Sequence, residues 1–393
     1  METPLQPLDQ DACYRAALTR DARFDGRFFG GVTSTGIYCR PVCPARTPKR
    51  ENMIFYPSAA AAEAAGFRAC LRCRPETAPD LASWRAVEGG TASVGGAWRG
   101  TWNTVSRALA LIEGGALDGG DVEALADRLG IGERQLRRLF RQHLGAAPVS
   151  VAQTRRVLLA KQLIHETGLS MAEVAMASGF GSVRRFNETF QRLYDRPPSA
   201  LRRRKAVTTS GEARGIRMSL SYREPYDWDA MFETLEARGD RVERQRWMRD
   251  LSLIADGATG QVILTPSAPG KVALDVEISD LTALPGVLSR VRRVFDLSAD
   301  PTAIARDLSR DPLLRPLVEA RPGLRLPGNW IEDRDDAPSD RIDGFRPDAR
   351  RVALIETGRA EAWRPWRAYA ALHLTAAGPM LNEMERPDDQ AAA

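Results

Sequence analysis

Four of the five cysteines in this 393-residue chain stand in two close pairs near its start. Three residues separate Cys39 from Cys43, two separate Cys70 from Cys73, and 26 residues lie between the pairs. This is the arrangement of two knuckles that close one tetrahedral zinc site. The sequence therefore predicts one zinc ion held by four cysteine thiolates. The remaining cysteine, Cys13, is interpreted as a half-buried structural thiol in an N-terminal helix.

A four-thiolate zinc site allows two interpretations. Most such sites only stabilise a small fold, and the cysteine spacing alone favours a purely structural zinc ion. A zinc-bound cysteine nevertheless stays a thiolate at neutral pH, and four of them on one Zn²⁺ leave a net charge of about −2, which keeps the sulfur nucleophilic.

Seven basic residues surround the cysteine pairs within about 35 positions. For any one of them a solvated surface is the alternative, but the cluster as a whole indicates contacts with DNA phosphates. The seven residues are Arg40, Arg46, Lys49, Arg50, Arg68, Arg72 and Arg74.

The segment from about Phe28 to Pro75 resembles the N-terminal domain of Ada-type adaptive-response proteins. The resemblance rests on STGIYCRPVCPAR at 34–46, RENMIFY at 50–56 and GFRACLRCRP at 66–75. It implies that the first cysteine of C-R-P-x-C, Cys39 here, irreversibly accepts a methyl group from a methyl phosphotriester in the DNA backbone. Proteins of this type often carry a second transferase for O6-methylguanine, which uses a cysteine in a P-C-H-R segment. We expect that activity to be absent, because no cysteine follows Cys73.

An internal repeat follows the cysteine segment. Residues 125–145 and 174–195 share one pattern, a short helix, a glycine-containing turn and a second helix with apolar residues at i and i+4, which is the layout of a helix-turn-helix. A helical bundle with a soluble surface is the alternative for a single copy, but the duplication favours DNA binding. The start of each second helix should face a major groove. The residues predicted there are Arg134, Gln135 and Arg138 in the first copy, and Ser182, Arg184, Arg185 and Asn187 in the second. The apolar residues of both copies are assigned to the core, namely Leu125, Ala126, Leu129, Leu136, Leu139, Phe140, Val174, Ala175, Phe180, Phe186 and Phe190.

Residues 103–204 resemble the DNA-binding module of AraC-type transcription activators. The tandem copies, the Gly179-Phe180 turn and the R-P-P segment at 196–198 carry the resemblance. It implies binding to promoter DNA and transcription activation, with RNA polymerase as an expected further partner. Two recognition helices on one chain can enter successive grooves about 34 Å apart, so we expect a monomer.

The third part of the chain begins with a strand and a helix, followed by the strand candidates VERQRWM, QVILT and KVALDVEI. It resembles the N-terminal domain of bacterial 3-methyladenine DNA glycosylases as far as LPGNW at 326–330. That family continues into a catalytic core with an L-P-G-x-G hairpin, which is absent here. AEAWRPWRAYAALHL at 360–374 again resembles the last core helix of that family. Trp363, Trp366 and Tyr369 within it are interpreted as core aromatics rather than a base-stacking surface.

The stretch between these two parts is charged and interrupted by prolines, so we expect 331–358 to be poorly ordered. Asp340 is the one position there that matches the aspartate of a glycosylase, and a solvated acidic loop is its alternative interpretation. The third part as a whole is therefore expected to lack glycosylase activity.

The predicted fold class is multidomain. Glycine-rich, polar stretches at 86–100 and 205–217 have linker composition. They separate a small α+β zinc domain at 1–85, an all-α double helix-turn-helix domain at 101–204, an α+β glycosylase N-terminal-like domain at 217–290 and a truncated helical remnant at 291–393. Lys and Arg exceed Asp and Glu by five, which mildly favours a polyanionic partner. The chain has no signal peptide and no apolar run of spanning length, so we expect a cytoplasmic protein without a membrane partner.

Three hypotheses follow for the function. The leading one is a sacrificial methyl acceptor, with zinc as cofactor and double-stranded DNA as partner, that also activates transcription. The second is a DNA-3-methyladenine glycosylase that uses the N-terminal domains for targeting and regulation. The third is a zinc-stapled DNA-binding regulator without chemistry.

Overall fold

The computed structural model describes residues 8–79, 97–202, 215–251, 258–330, 362–363 and 366–377. Asp340, the segment 331–358 and most of the two predicted linkers lie outside these residues. Two linker predictions need correction at their ends. A helix already begins at Ala97, and a strand already begins at Ile216 because Ile216, Met218 and Leu220 alternate into the core.

The cysteine segment forms a four-stranded sheet of β1 (Phe29–Val32), β2 (Ile37–Cys39), β3 (Met53–Tyr56) and β4 (Arg68–Ala69). The strands lie in the order β3-β1-β2-β4. Strand β1 pairs antiparallel with β2 and β3, whereas β2 pairs parallel with β4. The parallel pair sets Tyr38 opposite Ala69, so the chain leaves both strands beside each other at Cys39 and Cys70.

Two helices flank this sheet, α1 (Gln10–Thr19) and α2 (Ala59–Ala64). The side chain of Asp9 caps α1, and Ser58 caps α2 by accepting from the backbone N–H of Ala61. Cys13 lies on α1 with only 6% of its surface exposed, in a cluster with Phe28 and Phe55. Its predicted position in an N-terminal helix is confirmed, and the thiol is buried rather than half-buried.

The repeat segment consists of six helices. Serine and aspartate side chains cap three of them, with a full capping box between Ser170 and Glu173. The turn of each helix-turn-helix contains a glycine at positive φ, Gly130 at 68° and Gly179 at 86°, a conformation that glycine adopts without strain. The helices are α3 (Ala97–Glu113), α4 (Val122–Arg128), α5 (Glu133–Leu144), α6 (Pro148–Glu166), α7 (Met171–Ala177) and α8 (Val183–Tyr194).

The third segment contains a five-stranded antiparallel sheet of β5 (Ile216–Ser221), β6 (Arg241–Glu243), β7 (Arg246–Asp250), β8 (Gly260–Ala268) and β9 (Lys271–Ile278). The strands lie in the order β5-β9-β8-β7-β6. The predicted strand-helix start and the three further strand candidates are confirmed, with VERQRWM divided between two strands.

Among the described residues of this segment, five α-helices accompany the sheet, namely α9 (Trp228–Ala237), α10 (Leu284–Val294), α11 (Pro301–Leu308), α12 (Arg315–Ala320) and α13 (Arg367–Ala376). Trp363, Trp366 and Tyr369 are each at most 8% exposed and pack in one cluster with α11 and α12. The indole N–H of Trp363 donates to Asp311 over 2.7 Å. These aromatics therefore belong to the core, as predicted.

One hydrophobic core joins the second helix-turn-helix unit to the five-stranded sheet. It includes Val157 and Leu163 of α6, Phe186 and Phe190 of α8, and Trp247 of β7. The first unit has its own core around Leu125, Leu136 and Phe140. The core assignments made for both units from the sequence are confirmed. The third segment is packed directly on the helix-turn-helix domain.

Candidate metal centre and DNA interface

The Sγ atoms of all four clustered cysteines lie within 4.8 Å of one another. Cys39 ends β2, Cys43 follows in a turn closed by its N–H bond to the carbonyl of Arg40, and the other two follow β4. Four sulfurs that each lie about 2.3 Å from one Zn²⁺ stand roughly 3.8 Å apart. The spacing and the all-thiolate donor set therefore fit a zinc ion bound by Cys39, Cys43, Cys70 and Cys73.

The four sulfurs are not equivalent. The backbone N–H of Arg40 donates to the Sγ of Cys73 at 3.4 Å, and the N–H of Arg72 donates to the Sγ of Cys70 at 3.3 Å. In the described part of the chain no backbone N–H donates to the Sγ of Cys39. Cys70 and Cys73 are buried, whereas Cys39 is partly exposed. Because a hydrogen bond stabilises the charge of a thiolate, an accessible sulfur without such a donor is the more reactive nucleophile.

Cys43 is also partly exposed, so exposure alone does not distinguish it from Cys39. Cys39 and Cys43 are therefore the two accessible sulfurs of the cluster.

Arg40 has a different environment from the one predicted from the sequence. Its guanidinium forms an ion pair with Asp25, with Nε and Oδ1 2.8 Å apart, and both side chains are largely buried. Its Nη1 also donates to the carbonyl of Cys73 at 3.2 Å and to the Oγ1 of Thr77 at 2.6 Å. The geometry thus favours a role in bracing the two knuckles over contact with a phosphate. Asp25 gives no signal in the sequence, because no local spacing links it to Arg40.

The remaining basic residues near the cluster divide into two groups. Arg46, Lys49 and Arg72 are exposed, as a phosphate contact requires. Arg50 pairs with Asp11 at 2.8 Å, and Arg74 pairs with Glu76 and Glu166. Arg74 is therefore engaged within the protein, which the sequence did not indicate.

The two recognition helices, α5 and α8, present their predicted DNA contacts to solvent. Arg134, Gln135 and Arg138 are exposed on α5. On the second unit the exposed residues are Ser182, Arg184, Arg185 and Asn187. Ser182 is also the N-cap of α8, where its hydroxyl accepts from the N–H of Arg185 at 3.2 Å. Arg184 pairs with Glu188 at 2.8 Å, but both side chains remain mostly exposed, so this pair is weak.

Comparison with known proteins assigns three parts of the chain. Residues 12–76 match the metal binding domain of Ada, residues 125–204 match a helix-turn-helix domain, and residues 217–331 match the AlkA N-terminal domain. The chain is therefore a multidomain protein that combines an Ada-type zinc-binding domain, an AraC-type helix-turn-helix domain and an AlkA N-terminal domain. The predicted zinc site is thereby confirmed.

The chain is homologous to bifunctional transcriptional activator/DNA repair proteins. It is 39% identical to the probable bifunctional transcriptional activator/DNA repair enzyme AlkA of Mycobacterium tuberculosis, over 81% of this chain and 62% of that protein. It thus spans less than two thirds of this relative's length. The bifunctional transcriptional activator/DNA repair enzyme Ada of Escherichia coli is 33% identical over 44% of this chain and 43% of that protein.

Among solved structures, the crystal structure of the methylated N-ADA/DNA complex is 33% identical and covers 38% of this chain and 99% of that chain, with a TM-score of 0.17. Within the described ranges of the present chain, no helix is both long and apolar enough to span a membrane.

Proposed function

We propose that this protein transfers one methyl group from a DNA methyl phosphotriester to Cys39, and that the transfer is coupled to sequence-specific DNA binding and transcription activation. The observation that carries the proposal is the position of Cys39 in the cluster. It is a partly exposed sulfur without a backbone N–H donor, within 4.8 Å of three other cysteine sulfurs. The homology to activator/repair proteins supports the same function.

Zn²⁺ bound by the four cysteines would keep them deprotonated at neutral pH. The Sγ of Cys39 attacks the methyl carbon from the side opposite the ester oxygen. A sulfur–carbon bond forms as the carbon–oxygen bond breaks, and its electron pair leaves with the oxygen as an ordinary phosphate diester anion. No proton is transferred. The product thioether is a poor leaving group, so each chain reacts once.

Exposed basic residues would hold the damaged strand beside Cys39, with Arg46, Lys49 and Arg72 as the available contacts. Loss of one negative charge at the sulfur cluster weakens repulsion of the DNA backbone, so affinity should rise after the transfer. The exposed residues of α5 and α8 would then read promoter DNA, and RNA polymerase is the proposed further partner of a monomeric activator. We retain 1–85, 101–204, 217–290 and 291–393 as the proposed domain limits.

A stoichiometric mass change tests the proposal. Full-length zinc-loaded protein incubated with methylated double-stranded DNA should gain one methyl group per chain at Cys39 and then stop. The gain follows from the irreversible formation of a thioether and is measured by intact mass and peptide mapping. Cys13→Ser, a change at a buried cysteine outside the cluster, should react like the wild type, whereas Cys39→Ser should not react. An unchanged mass of the wild-type protein would contradict the proposal.

We expect the full-length protein to release no free 3-methyladenine from alkylated duplex DNA. Extruding a base costs a few kcal/mol, which a glycosylase offsets with a base pocket and a phosphate-binding hairpin. The match to the AlkA N-terminal domain ends at residue 331, and the sequence that follows has no such hairpin. The glycosylase assay uses the intact chain, because the third segment shares its hydrophobic core with the helix-turn-helix domain.

Chromatography of the free 3-methyladenine measures this glycosylase activity. Asp340→Asn is the paired variant. Release by the wild type that is lost in the variant would show a working pocket around Asp340 and overturn this prediction.

A further inference from the structure

The helix that joins the two helix-turn-helix units, α6, is enclosed by the other two domains. Five consecutive residues from Ala160 to Ile164 are buried, so every side of its last turns contacts protein. Helix α2 and the short 3₁₀ turn Pro75–Thr77 pack on it from the zinc domain, and β5 packs on it from the third segment. A helix that only linked two DNA-binding units would bury one face.

Residues 74–77, here called the relay turn, connect the zinc site to α6. The turn starts directly after the ligand Cys73. Arg40, which directly follows the proposed methyl acceptor, donates to Thr77 over 2.6 Å and to the carbonyl of Cys73 over 3.2 Å. Thr77 also donates from its hydroxyl to the carbonyl of Arg74 at 2.9 Å, which closes the turn. A displacement at Cys39 and Arg40 therefore reaches the relay turn through direct contacts.

The other side of the relay turn holds α6 through a buried ion pair. The Nζ of Lys161 lies 2.9 Å from Glu76, and the two side chains are 0% and 1% exposed. Burial would raise the pKa of Glu76, but the ammonium of Lys161 and its hydrogen bond hold that pKa below the ordinary value. An ion pair this deeply enclosed requires close geometry, so the turn and the helix must move together.

Glu166, at the C-terminal end of α6, joins all three domains. Its carboxylate accepts from Arg74 of the relay turn at 2.6 Å and from the backbone N–H of Ser219 in β5 at 2.9 Å. One helical turn earlier, Gln162 donates to the carbonyl of Ser219 at 2.6 Å. These two side chains occupy the open edge of strand β5, so the sheet of the third segment is fixed to α6 by direct hydrogen bonds.

We propose that the relay turn transmits the methylation state of Cys39 to α6, and through α6 to the spacing of the two recognition helices. This inference rests on the proposed methyl transfer to Cys39. An added methyl group enlarges the acceptor next to Arg40, and the lost negative charge weakens the attraction of the sulfur cluster for Arg40 and Arg74. In this proposal α6 shifts relative to the third segment, which stays in place. Such a role of the third segment requires no glycosylase chemistry.

Hydrogen exchange of the full-length protein tests the relay in the absence of DNA. Zinc-loaded protein is methylated with DNA that carries methyl phosphotriesters, freed from DNA at high salt, checked by intact mass and compared with untreated protein. Amides in the second half of α6 should change their exchange rate by at least about fivefold on methylation, the lower range of allosteric coupling. Two variants should reduce that change to near unity while they still accept one methyl group. Glu166→Gln removes the charge that holds Arg74, and Thr77→Val removes the hydroxyl that binds Arg40.

Asp275→Asn is the matched control, because it neutralises a carboxylate in an exposed ion pair of the third segment, where Arg217 lies 3.3 Å away. This control should respond like the wild type. Methylated wild-type protein with unchanged exchange in α6 would overturn the relay while leaving the methyl transfer intact. A protein that gains no methyl group would instead refute the proposed function. Persistence of the full response in both Glu166→Gln and Thr77→Val would also overturn the relay.

Discussion

Removal of zinc is expected to unfold the cysteine domain. Its sheet contains strands of only two to four residues, so its apolar core is small and the metal links the two knuckles that hold β2 beside β4. Structural zinc ions contribute about 10–16 kcal/mol of apparent binding free energy at neutral pH in small zinc domains. Without that contribution, amides of β1 and β3 should lose their protection, which hydrogen exchange of chelator-treated full-length protein measures.

The same treatment provides an internal comparison. The first helix-turn-helix core around Leu125 and Phe140 contains no zinc ligand, so protection of α5 should survive chelation. Cys43→Ser should reproduce the loss in the zinc domain, and Cys13→Ser should keep it folded at saturating zinc. Full protection of β3 after verified removal of the metal would contradict the prediction and show that the domain folds on its apolar core alone.

Replacement of Lys161 with methionine is expected to destabilise the whole protein by about 3 kcal/mol, because the buried carboxylate of Glu76 then keeps only Arg74 as a counter-charge. At about 2.1 cal/mol/K of unfolding entropy per residue, a loss of this size lowers the melting temperature by roughly 4 °C in a chain of 393 residues. Differential scanning calorimetry measures the shift. Arg217→Met is the matched control, since it breaks an ion pair whose arginine side chain is 76% exposed, and it should cost less than about 1 kcal/mol.

The effect of Lys161→Met should depend on pH in a defined direction. In the wild type the folded-state pKa of Glu76 lies below its ordinary value, so the stability contributed by the ion pair is present above that value and is lost as the pH falls through the lowered pKa. In the variant the attraction of Lys161 is lost while burial still raises the pKa of Glu76, so the pKa lies higher than in the wild type and protonation relieves more of the penalty. The difference in melting temperature should therefore shrink from pH 7 toward pH 5. A difference that is equal at both values would mean that the penalty does not arise at Glu76.

The metal site and most of the local structure could be predicted from the amino-acid sequence. The two cysteine pairs predicted the metal site, because a tetrahedral zinc site imposes short spacings that are visible along the chain. The repeat predicted both helix-turn-helix units with their cores, because helical periodicity and the turn glycines Gly130 and Gly179 are local properties. The alternating apolar residues of β5, β8 and β9 predicted strands for the same reason.

How these parts are joined depends on contacts between residues that lie far apart in the sequence. Arg40 was predicted to bind phosphate from its proximity to Cys39, but Asp25 pairs with it from an earlier loop. Glu76 meets Lys161 across 85 positions, and Glu166 meets Arg74 across 92. Such pairs leave no periodic pattern in a single sequence, since they depend on which surfaces are brought together after the elements form. The burial of α6 on all sides and the position of the third segment as its support are therefore properties of the assembled fold.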